Sequence, residues 1–252
     1  MRPVDTHCHL QSEKFEGDRE EVIARTLEAV EWAVVIGDDL PSSSAAVALT
    51  RERIYATVGL HPYYAADCDA AALDELRALA ANPRVKALGE IGLDYFNEYA
   101  PRDVQAQAFR MQLELAVELA LPVVIHNRES DADALAMLKE FAPQLAGCVM
   151  HCFGSDAAFA EACCAEGFYV SFAGNVTFPK AQKLRDAAVV VPLELLLVET
   201  DAPYLAPIPD RGKRCEPGHV VRTAEFLADL RGVPREEFFR VTTENAARFY
   251  GV

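Results

Sequence analysis

The segment Asp5-Thr6-His7-Cys8-His9 sets two imidazoles two residues apart beside a carboxylate. On a strand, residues two apart share a face, so Asp5, His7 and His9 converge on one side while Thr6 and Cys8 face the other. Two imidazoles and a carboxylate at that spacing make half of a divalent-metal site. Taken alone, the motif leaves a second reading open, a polar strand end whose histidines bond to backbone. Further residues of the same chemical kind follow. They are His61 in Gly59-Leu60-His61-Pro62, Glu90 in Gly89-Glu90-Ile91-Gly92-Leu93-Asp94, His126 before Asn127 and Arg128, His151 before Cys152, and Asp201 in Glu199-Thr200-Asp201-Ala202-Pro203-Tyr204. Five of the chain's six histidines belong to this set, so the set and not the single motif favours metal.

Each of these residues closes or follows a short β-branched run. The runs are Val4–His7, Ala33–Ile36, Ile54–Val58, Val85–Gly89, Val123–His126, Cys148–His151, Tyr169–Phe172 and Leu195–Glu199. Stretches rich in Ala, Leu and Glu alternate with them and predict helices over Asp18–Glu31, Asp69–Ala81, Pro101–Ala120, Asp131–Phe141, Asp156–Glu166 and Pro179–Ala188. Pro101 and Pro179 suit a first helical turn, where a missing N–H costs little. Strands alternating with helices predict a parallel sheet, and about eight such units predict a closed α/β barrel of the TIM type, (β/α)8, in one domain spanning 1–252. A doubly wound sheet is the competitor, but no GxGxxG follows any run. Beyond Asp201 a loop runs to about Pro217, and helices after it are expected to cover the outside of the barrel. In such a barrel the C-terminal ends of the strands surround one mouth, where barrel enzymes place their chemistry.

Composition bounds the partners. A formal net charge of −15 over 252 residues argues against a broad basic surface for nucleic acid or an anionic membrane, so a phosphate must be met locally. Seven cysteines, an odd number with no CxxC pair, read as reduced thiols of a cytoplasmic protein. No apolar h-region marks a signal peptide, and no run of 18 apolar residues marks a membrane span. No obligatory protein partner is evident.

The motifs DTHCHL at 5–10, GLHP at 59–62, GEIGLDY at 89–95, IHNR at 125–128, HCF at 151–153, ETDAPYL at 199–205, RGKRCEP at 211–217 and TTENAARFY at 242–250 run in one order along the whole chain. In them the chain resembles the TatD family of metal-dependent deoxyribonucleases, within the amidohydrolase-like barrel superfamily. Cys215 stands where that family usually carries Asn, and Gly154-Ser155-Asp156 follows HCF in place of Ser-Gly; neither touches an expected ligand.

The resemblance implies a binuclear centre. One divalent ion would take His7, His9 and Asp201, a second His126 and His151, with Glu90 bridging. Six ligands are also too many for one catalytic ion that must keep positions open. The ions could be Mg, Mn, Zn, Ni or Fe. The implied activity is hydrolysis of DNA phosphodiester bonds from single-stranded ends by metal-activated water, with Asp201 accepting the proton. His61 and Arg128 are expected to meet phosphate, and Arg211, Lys213 and Arg214 to form a basic cluster at the mouth. Tyr204, Phe96, Tyr95 and Phe153 lie beside the site in sequence, where they could stack bases or fill core. Cys8 and Cys152 are expected to turn away from it, and His219 to lie at the surface. Hydrolysis of a carbon-centred ester or amide, such as an aminoacyl-tRNA ester, is the alternative on the same barrel. The absence of a lysine in place of Glu90, where carbamylated-lysine amidohydrolases carry one, weighs slightly against it.

Overall fold

Eight strands buried on both faces, between the lumen and the helices, build the barrel. The computed structural model describes residues 1–252. Its strands are β1 (Asp5–Cys8), β2 (Ala33–Ile36), β3 (Ile54–Val58), β4 (Val85–Asp94), β5 (Val123–Arg128), β6 (Cys148–Met150), β7 (Tyr169–Phe172) and β8 (Leu196–Val198). They pair in parallel in chain order. The sheet closes just past β8, where Cys8 bridges Ala202, Asp201 N–H donates to His7 O at 2.9 Å and His9 N–H to Ala202 O at 2.7 Å. Val34, Ile36, Ala87, Val124, Val149 and Leu197, from five different strands, pack together and fill the lumen. Their neighbours Ala33, Val35, Val123, Ile125, Leu196 and Val198 face the helices in the larger cluster of 51 buried residues.

The helices are α1 (Arg19–Ala29), α2 (Leu40–Ala48), α3 (Ala70–Ala80), α4 (Arg102–Leu119), α5 (Asp131–Phe141), α6 (Ala157–Ala165), α7 (Gln182–Val190), α8 (Val220–Arg231) and α9 (Arg235–Tyr250). Asp69 and Asp156 cap α3 and α6 by accepting the Ala72 and Phe159 amides. The sequence did not predict α2. Its Pro-Ser-Ser-Ser opening resembles a turn, but Asp39 and Ser42 form a capping box that nucleates it. Pro179 lies in a turn ahead of α7 and not in its first turn. Helix α9 ends under the barrel floor, where Ala246, Phe249 and Tyr250 join the lumen cluster and Tyr250 Oη donates to Thr6 O at 2.9 Å. No helix is long and apolar enough to cross a membrane.

Strand β4 runs five residues past the expected end at Gly89 and carries Glu90 and Asp94 within it. Gly92, at φ +144°, pairs with His126 on β5, and a Cβ there would sit 2.0 Å from His126 O. This glycine permits a close strand approach and does not break the strand. It brings the glutamate-bearing strand against the histidine-bearing one.

Candidate metal centre

Strand β1 is irregular. Its register to β2 slips between Asp5 and Cys8, so simple alternation does not hold across the HxH segment. Asp5 therefore does not join His7 and His9. Its buried carboxylate accepts the Thr200 amide at 2.8 Å and the Thr200 hydroxyl at 2.6 Å, and so ties β1 to the segment after β8. The same tie, with the Asp201 N–H to His7 O bond, sets Asp201 beside the two histidines. Asp201 adopts φ +58°, a left-handed conformation that Asp tolerates better than most residues.

His7, His9, His61, Glu90, His126, His151 and Asp201 converge at the strands' C-terminal ends. Glu90 is the hub. Its carboxylate lies 2.7 Å from His151 Nε2, 2.8 Å from His126 Nδ1, 3.3 Å from His7 Nε2 and 3.5 Å from His61 Nε2. Asp201 Oδ1 lies 3.4 Å from His9 Nε2 and 3.8 Å from His7 Nε2. The donor atoms fall into three overlapping groups, His7–His9–Asp201, His7–Glu90–His151 and His61–Glu90–His126, with Glu90 in two of them. His7 stacks on His151 at 3.9 Å between centroids.

The outward ring atoms decide the tautomers. His9 Nδ1 faces Ile36 O at 3.1 Å, His126 Nε2 faces Asp94 Oδ2 at 3.1 Å, and His151 Nδ1 faces Glu199 Oε1 at 3.3 Å. Each acceptor receives a hydrogen bond from that nitrogen's N–H, which in the neutral ring leaves the inward nitrogen with a lone pair aimed at the centre. His61 is the exception. Its Nδ1 accepts the Tyr63 amide at 3.1 Å, so its proton stays on Nε2, facing Glu90. His61 therefore stands among the donors as a neutral N–H and not as a lone pair.

This set fits divalent cations. His7 Nδ1 is buried with no hydrogen-bond partner, and His7 Nε2 and His9 Nε2 meet at 3.3 Å. At that distance one cation can take both nitrogens once His9 gives up its proton. Burial disfavours ionisation of Glu90, yet His151, His61 and His126 hold its carboxyl well below the usual carboxylate range. Burial likewise opposes protonation of His9, but Asp201, Asp38 and Glu90 overcome it and lift the ring to about 9. His126 rises against burial through Asp94 and Glu90, and His151 through Glu90 and Glu199. Carboxylates thus hold protons where a metal would compete for the same nitrogens. Burial and the neighbouring His126 push His61 down to about 3, so it stays neutral.

The centre opens into a cavity of about 890 Å³. Arg128 and Tyr204 line it. Arg211, Lys213 and Arg214 do not. Arg214 is bound bidentately to Asp18 at 2.7 and 2.6 Å, Lys213 pairs with Asp210 at 3.0 Å, and Arg211 lies over Phe178. That loop spends most of its charge on its own neighbours. Lys183 of α7 lines the cavity instead, and no motif marked it. Phe96 is exposed beneath the Arg128 guanidinium, Tyr95 bonds Asp133 away from the cavity, and Phe153 is buried between Phe159 and Phe172. Cys8 packs in the core as expected. Cys152 lines the cavity, because β6 has ended at Met150 and alternation no longer governs it. His219 is half-buried, with Nδ1 accepting the Glu216 amide. Sequence reasoning gave no role to Asp94 or Glu199. Both sit inside the specific motifs, four residues after Glu90 and two before Asp201.

Comparison with known proteins agrees with this geometry. A family profile described as TatD related DNase matches residues 4–251. The chain is 43% identical over 251 residues to the uncharacterized metal-dependent hydrolase YabD of Bacillus subtilis, covering 98% of each chain. It is 35% identical over 257 residues to a protein of Erwinia tasmaniensis named 3'-5' ssDNA/RNA exonuclease TatD, covering 98% of this chain and 99% of that one. The crystal structure of YJJV, a TatD homolog from Escherichia coli K12, superposes with a TM-score of 0.93 at 32% identity over 100% of this chain and 98% of that one. A match this complete, to proteins named for the metal dependence that the imidazole cluster calls for, places the chain in the TatD family of metal-dependent hydrolases.

Proposed function

We propose that the protein is a deoxyribonuclease that removes nucleotides from single-stranded DNA ends, with two divalent ions. His7, His9 and Asp201 would hold one ion, His126 and His151 the other, and Glu90 would bridge. The observation that carries this reading is a buried cluster of imidazoles and two ionised carboxylates at the base of a cavity rimmed by Arg128 and Lys183, neither of which is in an ion pair. Six such ligands carry two formal negative charges, so two divalent ions would leave a local cation of about two units in an acidic protein. The exonuclease name of the Erwinia relative supports the same substrate class and a 3'-to-5' direction. The seven free cysteines suit a reducing compartment, and the cytoplasm is the proposed place of action.

Divalent ions at this centre would polarise a phosphoryl oxygen and acidify a water toward neutrality. Asp201 accepts the proton of the attacking water, being the more accessible carboxylate, with its side chain 16% exposed against 5% for Glu90. Glu90 stays ionised and buried among four rings and fixes their spacing. His61 presents its neutral N–H to a phosphate oxygen, and Arg128 holds a second oxygen from the rim.

Chelator-stripped protein, incubated with end-labelled single-stranded DNA and with a non-phosphate ester across a series of Mg, Mn, Zn, Ni and Fe, tests the proposal. DNA shortened from its 3' end upon metal addition is the expected result. Hydrolysis of the neutral ester with intact DNA would overturn it in favour of a carbon-centred substrate.

A further inference from the structure

A second cation that no motif announced lies over an aromatic ring of the cavity wall. Lys14, in the loop after β1, places its ammonium 4.3 Å from the centroid of the Tyr204 ring. Tyr204, in the loop after β8, is 48% exposed and lines the cavity. Its amide donates to Asp201 O at 2.9 Å, which anchors the ring's backbone to the centre. The ring lies edge-on to His9 at 6.3 Å between centroids. Lys14 is exposed and enters no ion pair. Around the rim, Arg128 stacks over the exposed Phe96 in the same way, at 4.0 Å. The Lys14 ammonium lies over a ring that is still 48% exposed, so aromatic surface for a base and an unpaired charge for its phosphate stand together, as one nucleotide needs.

We propose that Lys14 and Tyr204 form a nucleotide subsite on the His9 side of the mouth, where the ring stacks a base and the ammonium binds the adjoining phosphate. The pair would position the strand so that its terminal phosphodiester reaches the centre. The assignment deepens the nuclease reading and rests on it for the choice of substrate.

The test measures binding and not turnover. Metal-loaded protein is titrated against a fluorescein-labelled, phosphorothioate single-stranded 12-mer, and anisotropy is read at several salt concentrations. Tyr204→Ala is expected to weaken binding about tenfold, the share typical of one base–aromatic stack, while Tyr204→Phe binds like wild type. Lys14→Met is expected to weaken binding several-fold and to reduce the salt slope by about 0.7, one single-strand phosphate contact. An abasic residue at the stacked position should weaken binding to wild type and leave Tyr204→Ala unaffected, a response that mere misfolding cannot produce. Wild-type affinity in both Tyr204→Ala and Lys14→Met would overturn the subsite. Should the variants lose affinity while wild type leaves unmodified DNA uncut, the subsite stands and the nuclease reading fails. Should wild type cut DNA and the variants bind it normally, the reverse holds.

Discussion

Asp94 Oδ2 lies 3.1 Å from His126 Nε2, on the ring edge opposite Glu90, so His126 is gripped between two carboxylates. Asp94 is fully buried, and its other oxygen accepts the amides of Phe96 and Asn97. It selects the tautomer that turns Nδ1 toward the centre. Asp94→Asn should therefore lower metal affinity by about 10- to 100-fold, the usual effect of losing such an outer partner, with the fold retained. Glu199→Gln should act likewise through His151. Titration against a fluorescent chelator, alongside circular dichroism, checks both, and unchanged metal affinity in Asp94→Asn would remove it from this role.

Glu90 touches four imidazoles, whereas His126 is held by Glu90 and Asp94 alone among charged groups. Glu90→Gln removes the shared charge and should deplete all bound metal. His126→Ala should mainly empty one position. Elemental analysis of the purified variants gives the stoichiometries, and equal depletion in both would argue against two separable positions.

Asp201→Asn keeps an oxygen donor of similar size but loses charge and basicity. It should retain at least one metal and still bind DNA while hydrolysis falls by on the order of 100-fold or more, the ordinary share of general acid–base catalysis. His61→Ala should leave metal content unchanged, because its inward nitrogen carries a proton, and should slow phosphodiester turnover more than that of a neutral ester. Wild-type hydrolysis by Asp201→Asn at full metal occupancy would assign the proton to another acceptor.

The pH dependence of metal binding follows from His9. Its pKa is raised from the ordinary 6.5 to about 9 in the metal-free protein, against burial, by Asp201. The stabilisation from protonated His9 is complete below about pH 6.5 and is lost as pH rises through about 9. Metal needs the neutral ring, so binding below pH 9 expels this proton and affinity rises up to tenfold per pH unit on its account. The rise in thermal midpoint caused by Mn should grow between pH 6.5 and 9, with His126 and His151, whose rings carboxylates also raise, adding to the same trend. His61, neutral down to about 3, adds nothing to this trend. An equal shift at pH 6.5 and 8.5 would take His9 out of the ligand set.

Period and residue type made much of this protein legible from its sequence. Alternating apolar runs and Ala-Leu-Glu stretches encode faces of single elements, so the eight strands and the barrel followed from them, and the imidazoles at strand ends followed from the barrel. Glycine was harder to read. Gly89 and Gly92 look like strand breakers, yet β4 runs through both because β5 presses against Gly92. The capping box that makes α2 a helix was hidden in a serine run with a turn-like composition. Only the tertiary structure decided which charges remain free. Arg214 looked like a phosphate ligand until the fold set Asp18, 196 positions away, within hydrogen-bond reach. No sequence motif marks Lys14, and the closure of β1 on the β8 segment brings it over Tyr204. Asp94 and Glu199 gained their roles from histidines 32 and 48 residues distant. A pattern along the chain reports the face on which a side chain lies, but Coulombic and hydrogen-bond partners are set by distance through space between loops that leave different strands.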